Sequence, residues 1–345
     1  MKKIVSILKL STKNYFILLV LLASLSACSG ELIKIAGETQ GTSYHITYKS
    51  YNGENYKNEI DSVLHDFDMS LSTYKPASII SRINSNDKTA IADEYFIEVF
   101  NKSVEVAKET AGAFDITVAP IVNAWGFGFT DKASIDSTLI DSLLQFVGIE
   151  KVRLSGNKVV KSKPEIMLDC NAIAQGYSVD VISAYLESQG IKNYLVEIGG
   201  ELNAKGKKNN NELWKVGIDK PLDNSSENNR ELQVILQLEN KSLATSGNYR
   251  KFYEKGGAKY AHSIDPKTGY PVQHNLLSVT IIADDCMSAD AYATACMVMG
   301  LEKSKEFLKQ HPELDAYLIS SSNKEEYEIF ETKGFVDLQF ERKID

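Results

Sequence analysis

The sequence predicts an α+β protein built on antiparallel sheet. Two observations carry this. Segments of alternating polarity follow one another directly as often as they follow helical segments. No internal repeat and no break in composition marks a domain linker. The chain's 345 residues are enough for one large domain or two ordinary ones.

The elements fall in order. Residues 1–27 have a basic start, the apolar stretch "YFILLVLLA" and a small-residue ending, the layout of a secretory signal. That apolar stretch is short for a spanning helix, which needs about 20 apolar residues. The ending "LSAC" resembles a bacterial lipobox, which implies cleavage before Cys28 and lipid attachment to its sulfur. Residues 28–36 then read as a lipid-anchored tether, and residues 37–345 as the folded domain. "TSYHITYKSY" alternates like a strand. Residues 55–70 read as an amphipathic helix, and a second runs from about Glu94 to Thr110, stopped by Gly112. "GAFDITVAPIVNAWGFGF" is too rich in glycine and aromatics for ordinary packing. "IDSTLIDSLLQFVG" is a helix with a glycine stop, and "KVRLSGNKVVKS" a strand, turn and strand. In "DCNAIAQGYSVDVISAYLESQG" Asp169 or Asn171 can cap a helix in which Ile173, Tyr177, Val181 and Ala184 share a face and Gly190 ends it. "NYLVEIGGELNAKG" and "ELWKVGIDK" look like neighbouring strands joined by a polar tip. "LQVILQLE" and "SVTIIAD" are strands, the latter leading into "SADAYATACMVMG", a helix for which Ser288 is a plausible N-cap.

The whole chain carries 38 basic and 46 acidic side chains, a formal charge of −8. Loss of residues 1–27 removes Lys2, Lys3, Lys9 and Lys13 and no acid, leaving a formal −12. Such a surface repels nucleic acid, and no basic cluster offsets it. After cleavage Cys170, Cys286 and Cys296 remain beside Cys28, without CxxC spacing or a histidine placed to complete a zinc site. Cys296, within an apolar helix, reads as a small core residue.

Three constellations point to chemistry. Asp290 and Thr294 stand one helical turn apart among alanines, offering a carboxylate and a hydroxyl that suit Mg²⁺ or Ca²⁺ rather than zinc. The plainer alternative is that Asp290 complements the helix dipole and Thr294 bonds back to a carbonyl. Gly176 lies in the first turns of a helix, where it costs about 1 kcal/mol relative to alanine. It suggests close approach of either another backbone or a ligand, and Gln175 offers a hydrogen bond from the same turn. In "YAHSIDPKTGYP", His262 precedes an Asp-Pro turn that fixes polar groups in place, where histidine serves as a general base or simply bonds its own loop. "LATSGNYR" reads as a Ser/Gly turn, with Arg250 available to an acid or a phosphate.

Taken together and in this order, "ETQGTSYHITY", "MSLSTYKPASIISRIN", "GAFDITVAPIVNAWGFG", "DCNAIAQGYSVD", "NYLVEIGGEL", "ATSGNYR", "HSIDPKTGYPV" and "SADAYAT" resemble the ApbE family, the FAD:protein FMN transferases. The resemblance spans essentially the chain beyond Thr39 and implies a single catalytic domain. It implies FAD as substrate, Mg²⁺ as cofactor, and transfer of FMN to a threonine hydroxyl of another protein with release of AMP. It would place the metal on Asp290, Thr294 and the backbone carbonyl of Ala172, with His262 as the base. It would place FAD against Gln40, Gly41, Tyr74, Ala113, Phe114, Asp115, Asp169, Gln175 and Ile264. Three positions depart from the family pattern: Gln175 where Lys or Glu is frequent, Gln40 where Met is usual, and Asn248 where Asp is frequent. The implied recipient is an exported redox-complex subunit carrying the acceptor threonine, and the implied location the periplasmic face of a bacterial membrane. Two other functions fit the same residues: hydrolysis of FAD to FMN and AMP, and flavin storage without turnover.

Overall fold

The computed structural model describes residues 30–128, 135–222, 231–248, 252–255, 258–261, 263–322 and 327–342. Cys28, Arg250 and His262, with residues 1–27, lie outside them.

Strands β1 (Glu31–Thr39) and β2 (Thr42–Ser50) pair along their whole length as a hairpin. Its two-residue turn, Gln40–Gly41, has φ of 52° and 74°, the twist that matches a tight antiparallel turn. The expected tether to residue 36 is therefore corrected. Alternation in "ELIKIAGET" lets β1 pair from Glu31 onward, so any tether ends before it.

Helices α1 (Lys57–Leu71), α2 (Ile79–Asn84) and α3 (Glu94–Glu109) follow. Asp93 caps α3 by accepting the Phe96 N–H at 2.9 Å. Next come α4 (Ala119–Trp125), α5 (Ser137–Leu144) and the expected hairpin of β3 (Val152–Ser155) and β4 (Lys158–Lys161). Helix α6 (Ala174–Ser188) leads into β5 (Tyr194–Ile198) and β6 (Glu201–Lys205). Strands β7 (Trp214–Asp219), β8 (Leu232–Leu238), β9 (Lys241–Gly247), β10 (Phe252–Lys255), β11 (Ala258–Ala261) and β12 (Leu276–Ala283) come next. Helices α7 (Cys286–Met299) and α8 (Leu301–Gln310), strands β13 (Asp315–Ser321) and β14 (Tyr327–Glu331), helix α9 (Lys333–Asp337) and strand β15 (Gln339–Arg342) complete the described chain.

The main sheet has eight strands in the order β1-β2-β5-β6-β9-β12-β13-β14, each neighbour antiparallel to the next. Period-two alternation gives it two buried faces. Ala244, Val279, Ile281, Ala316 and Leu318 face the helices, in one core with the α7 residues Ala289, Ala293 and Cys296. Leu243, Ile282, Tyr317 and Ile319 face a three-stranded sheet, β15-β8-β7, through Trp214, Val234 and Leu236. Helix α7 is buried nearly all round, as its lack of a polar face requires.

Three local expectations change. Strands β6 and β7 are not neighbours, because β7 leaves the main sheet to pair with β8. "LATSG" is not a turn but the end of β9, held between β6 and β12. The buried stripe of α6 runs through Gly176, Val179, Ile182 and Leu186, while Tyr177 and Val181 are half-buried and Ala184 is exposed.

Candidate active site

Helix α6 begins later than its sequence suggests, at Ala174, with Ile173 at the cap position and no capping side chain. Asp169 and Asn171 bond each other instead: the Asp169 carboxylate accepts the Asn171 N–H at 2.8 Å. The Ala174 N–H is taken by the Cys170 carbonyl at 2.8 Å. Two residues on, the Gly176 amide donates to Asp290 Oδ2 at 3.0 Å. A buried carboxylate on α7 thus meets one of the unpaired donors at the start of α6. Gly176 is explained by the same contact. A methyl there would overlap the Cys286 carbonyl oxygen and stand 2.7 Å from Asp290 Cβ, so the close approach is that of another backbone.

Helix α7 is likewise capped differently from expectation. Asp285, not Ser288, is its N-cap; its carboxylate accepts the Ser288 N–H at 2.7 Å and the Ser288 hydroxyl at 2.8 Å. Asp290 falls in the second turn, 6 % exposed. Among the described residues the Gly176 amide is its one hydrogen-bond donor, and burial pushes its pKa well above the usual carboxylate range. Thr294, one turn on, does not bond back to its own helix; its hydroxyl lies 3.1 Å from Ser246 Oγ on β9. Asp180 of α6 returns the tie, accepting the Cys286 and Met287 amides at 2.9 and 2.8 Å.

A second set of loops gathers beside the α6 start. The Asp169 N–H donates to the Ile116 carbonyl at 2.8 Å, joining the segment after "GAFD" to the segment before α6. Tyr74, 64 % exposed, stands close enough for Asp169's charge to add to burial in raising its pKa. Burial raises the Asp169 pKa as well, against its bond from Asn171. Ala113, Phe114 and Asp115 are all buried. Asp115 is occupied structurally: Oδ1 accepts the Thr117 amide and hydroxyl at 2.8 and 2.6 Å, and Oδ2 the Ile149 amide at 2.9 Å.

At the other end, the β1–β2 turn meets α6. Ser178 Oγ donates to the Gln175 carbonyl at 2.6 Å and lies 3.5 Å from Gln40 Oε1, and Gln175 Nε2 donates to the Ile198 carbonyl at 3.2 Å. Gly199 makes room for that amide, since a methyl there would collide with Gln175 Nε2. Gln40 Nε2 and Thr73 Oγ1 are buried without a partner among the described residues. Natural proteins rarely leave such atoms unpaired, and a polar ligand could satisfy each of them.

Ile264 is buried against Trp125 and Ile121, bridging to Pro271, so the loop after His262 is held on α4. Trp125 Nε1 donates to the Gly269 carbonyl at 2.8 Å. Ser263 Oγ donates to Asn248 Oδ1 at 3.0 Å, bringing the residue after His262 to the end of β9. The structure therefore joins Asp290 to Gly176 at the start of α6, sets Thr294 one turn further along α7 against Ser246, brings Gln40 and Gln175 beside α6, and puts Tyr74 within reach of Asp169's charge. Ser246 and Asp180 are the polar partners that sequence reasoning missed. Ser246 was hidden by the turn reading of "LATSG", and Asp180 by its place in an otherwise ordinary helix.

Residues 40–318 match the ApbE family model. The chain belongs to the ApbE family. Among curated ApbE relatives, it is 37 % identical over 313 residues to the FAD:protein FMN transferase of Haemophilus influenzae, covering 86 % of this chain and 89 % of that protein. Against the Escherichia coli FAD:protein FMN transferase it is 33 % identical over 301 residues, 84 % of each chain. The flavin transferase ApbE from Vibrio cholerae superposes with a TM-score of 0.80 at 33 % identity, over 90 % of this chain and 99 % of that one. The α+β antiparallel fold expected from the sequence is that of these ApbE structures.

Proposed function

We propose that the chain transfers the FMN moiety of FAD to a threonine hydroxyl of an exported protein and releases AMP. Membership of a flavin-transferring family makes it an enzyme of that class. The supporting observation on the chain itself is the buried carboxylate of Asp290, one turn from the Thr294 hydroxyl and bonded to the α6 start. Ala172 O, Asp290 and Thr294 would hold Mg²⁺. The fit rests on an all-oxygen donor set and on a buried carboxylate with a single neutral donor, a charge that a hard cation balances. Bound there, Mg²⁺ supplies positive charge beside the diphosphate.

The remaining work belongs to the chain. Gln40 Nε2 and Thr73 Oγ1, buried without a partner among the described residues, would each hydrogen-bond the dinucleotide, and Tyr74 offers an exposed ring on which the flavin stacks. The acceptor threonine oxygen forms a bond to the FMN phosphorus as the bond from that phosphorus to the bridging oxygen breaks. The departing oxygen leaves on AMP, and His262 takes the threonine proton. Lipid on Cys28 would keep the enzyme at the membrane surface where exported acceptors pass. Labelled palmitate incorporated by the parent and not by Cys28→Ser checks that part.

The transfer is tested by incubating the chain with FAD and Mg²⁺, with and without a domain carrying an acceptor threonine. Acceptor fluorescence that survives denaturation, with AMP in equal amount, is expected. AMP with free FMN alone would mean hydrolysis, and intact bound FAD would mean storage. Asp290→Ala is expected to slow AMP release by about 10²–10³-fold, the range for losing one group that stabilises developing charge, with an unchanged circular dichroism spectrum. Turnover at the parent rate would remove the metal assignment.

A further inference from the structure

Helices α6 and α7 are tied twice, in opposite senses. Asp290 of α7 accepts an amide from the start of α6, and Asp180 of α6 accepts two amides from the start of α7. Gly176 and Asp180 are four residues apart on one helix, and Cys286 and Asp290 are four apart on the other. Each tie therefore lies one turn, about 6 Å, from the other along both helices. One tie alone fixes a point about which the helices can pivot. Two fix their relative slide and rotation.

The local capping need of α7 does not account for Asp180. Asp285 already serves the Ser288 amide and hydroxyl, and a neutral side chain could accept the remaining amides without placing another carboxylate beside Asp285 and Asp290. What Asp180 adds is a charge-assisted bond to each of two successive amides, a rigid and directional arrangement. The ties also differ in what a cation does to them. A cation at Asp290 competes for the carboxylate that holds Gly176, whereas the Asp180 tie stays whole. A methyl at Gly176 would overlap the Cys286 carbonyl oxygen, so the two helices pack closely there and little slide is tolerated.

We propose that Asp180 is a positioning residue for the cation site: by holding the Cys286 and Met287 amides it keeps Asp290 and Thr294 aligned with the α6 start. This rests on the Mg²⁺ reading above. Mn²⁺ binding to the full chain, followed by electron paramagnetic resonance, tests it beside hydrogen exchange of the Gly176 amide. Asp180→Asn is expected to bind Mn²⁺ at least tenfold more weakly and to exchange the Gly176 amide faster. Asp285→Ala, which removes a cap of the same helix but no hydrogen bond to α6, is expected to lose comparable thermal stability yet keep Mn²⁺ affinity within threefold. Parent-like affinity and exchange in Asp180→Asn, or an equal loss of affinity in Asp285→Ala, would overturn the proposal. Asp290→Ala separates the two ideas: if it binds Mn²⁺ as the parent does, the cation reading fails, and exchange at Gly176 in Asp180→Asn still decides the alignment. Should Asp180→Asn not fold, saturating Mg²⁺ on the parent is expected to slow exchange of the Cys286 and Met287 amides. Unchanged exchange there would count against Asp180.

Discussion

Gly176 shows how much one missing methyl decides. Gly176→Ala must push the Cys286 carbonyl away or shift α6 bodily, an overpacking that costs about 1–3 kcal/mol. Urea unfolding should show that loss together with weaker Mg²⁺ binding; an alanine variant as stable as the parent would mean the helices have slack. The two buried carboxyls nearby make a pH signature. Burial holds Asp180 up at about 7 and raises Asp290 too. A carboxyl raised on folding stabilises the fold fully below its unfolded value of about 4 and loses that contribution as pH rises through the folded value. Metal binding works the other way, since the carboxyl must give up its proton. The rise in melting temperature caused by Mg²⁺ is therefore expected to be larger at pH 8 than at pH 6. At this scale the sequence displayed the unusual residue types but not their partners. Asp290, Thr294 and Gly176 stood out because each breaks a local rule. Asp180 and Ser246 break none, and only the fold brings them to the site.

Among the elements, the β1–β2 turn carries a tension between local and functional demands. Gln40 sits at positive φ, where a side chain costs about 1–2 kcal/mol relative to glycine. Gln40→Gly is expected to stabilise the chain by up to about 1 kcal/mol, offset in part by the looser unfolded chain, while raising KM for FAD several-fold as the buried amide is lost. Unchanged KM would show that Gln40 is a turn residue and nothing more. Helix and strand identities were readable because hydrophobic period and caps are local signals. Helix starts were less so: competing acceptors around Asp169 and Asp285 moved both by a few residues. The end of β9 was misread because Ser and Gly are turn residues in isolation, and pairing on both sides overrode that preference.

Across the whole molecule, antiparallel α+β architecture followed from the succession of strands, but strand order did not. Which strand neighbours β6 is set by residues far along the chain, and β7 reads no differently from a main-sheet strand until Trp214 is seen packing across to the other layer. The three cysteines of the described region are free and buried, and burial raises each thiol's pKa, that of Cys296 to about 12. They are inert packing, so alkylating agents should leave Cys170, Cys286 and Cys296 unlabelled until the chain unfolds.

With the lipid proposed for Cys28, the early start of β1 would set a working height. Only two residues separate Cys28 from Glu31, where pairing begins, so an acylated chain has almost no leash. From there the strand runs about 27 Å to its turn, the turn that carries Gln40. With lipid on Cys28 and so little slack, reach above the bilayer is a property of the rigid sheet. Acceptor threonines carried within a few tens of ångströms of the membrane would be served, and lengthening the segment before Glu31 should widen the range of substrates modified.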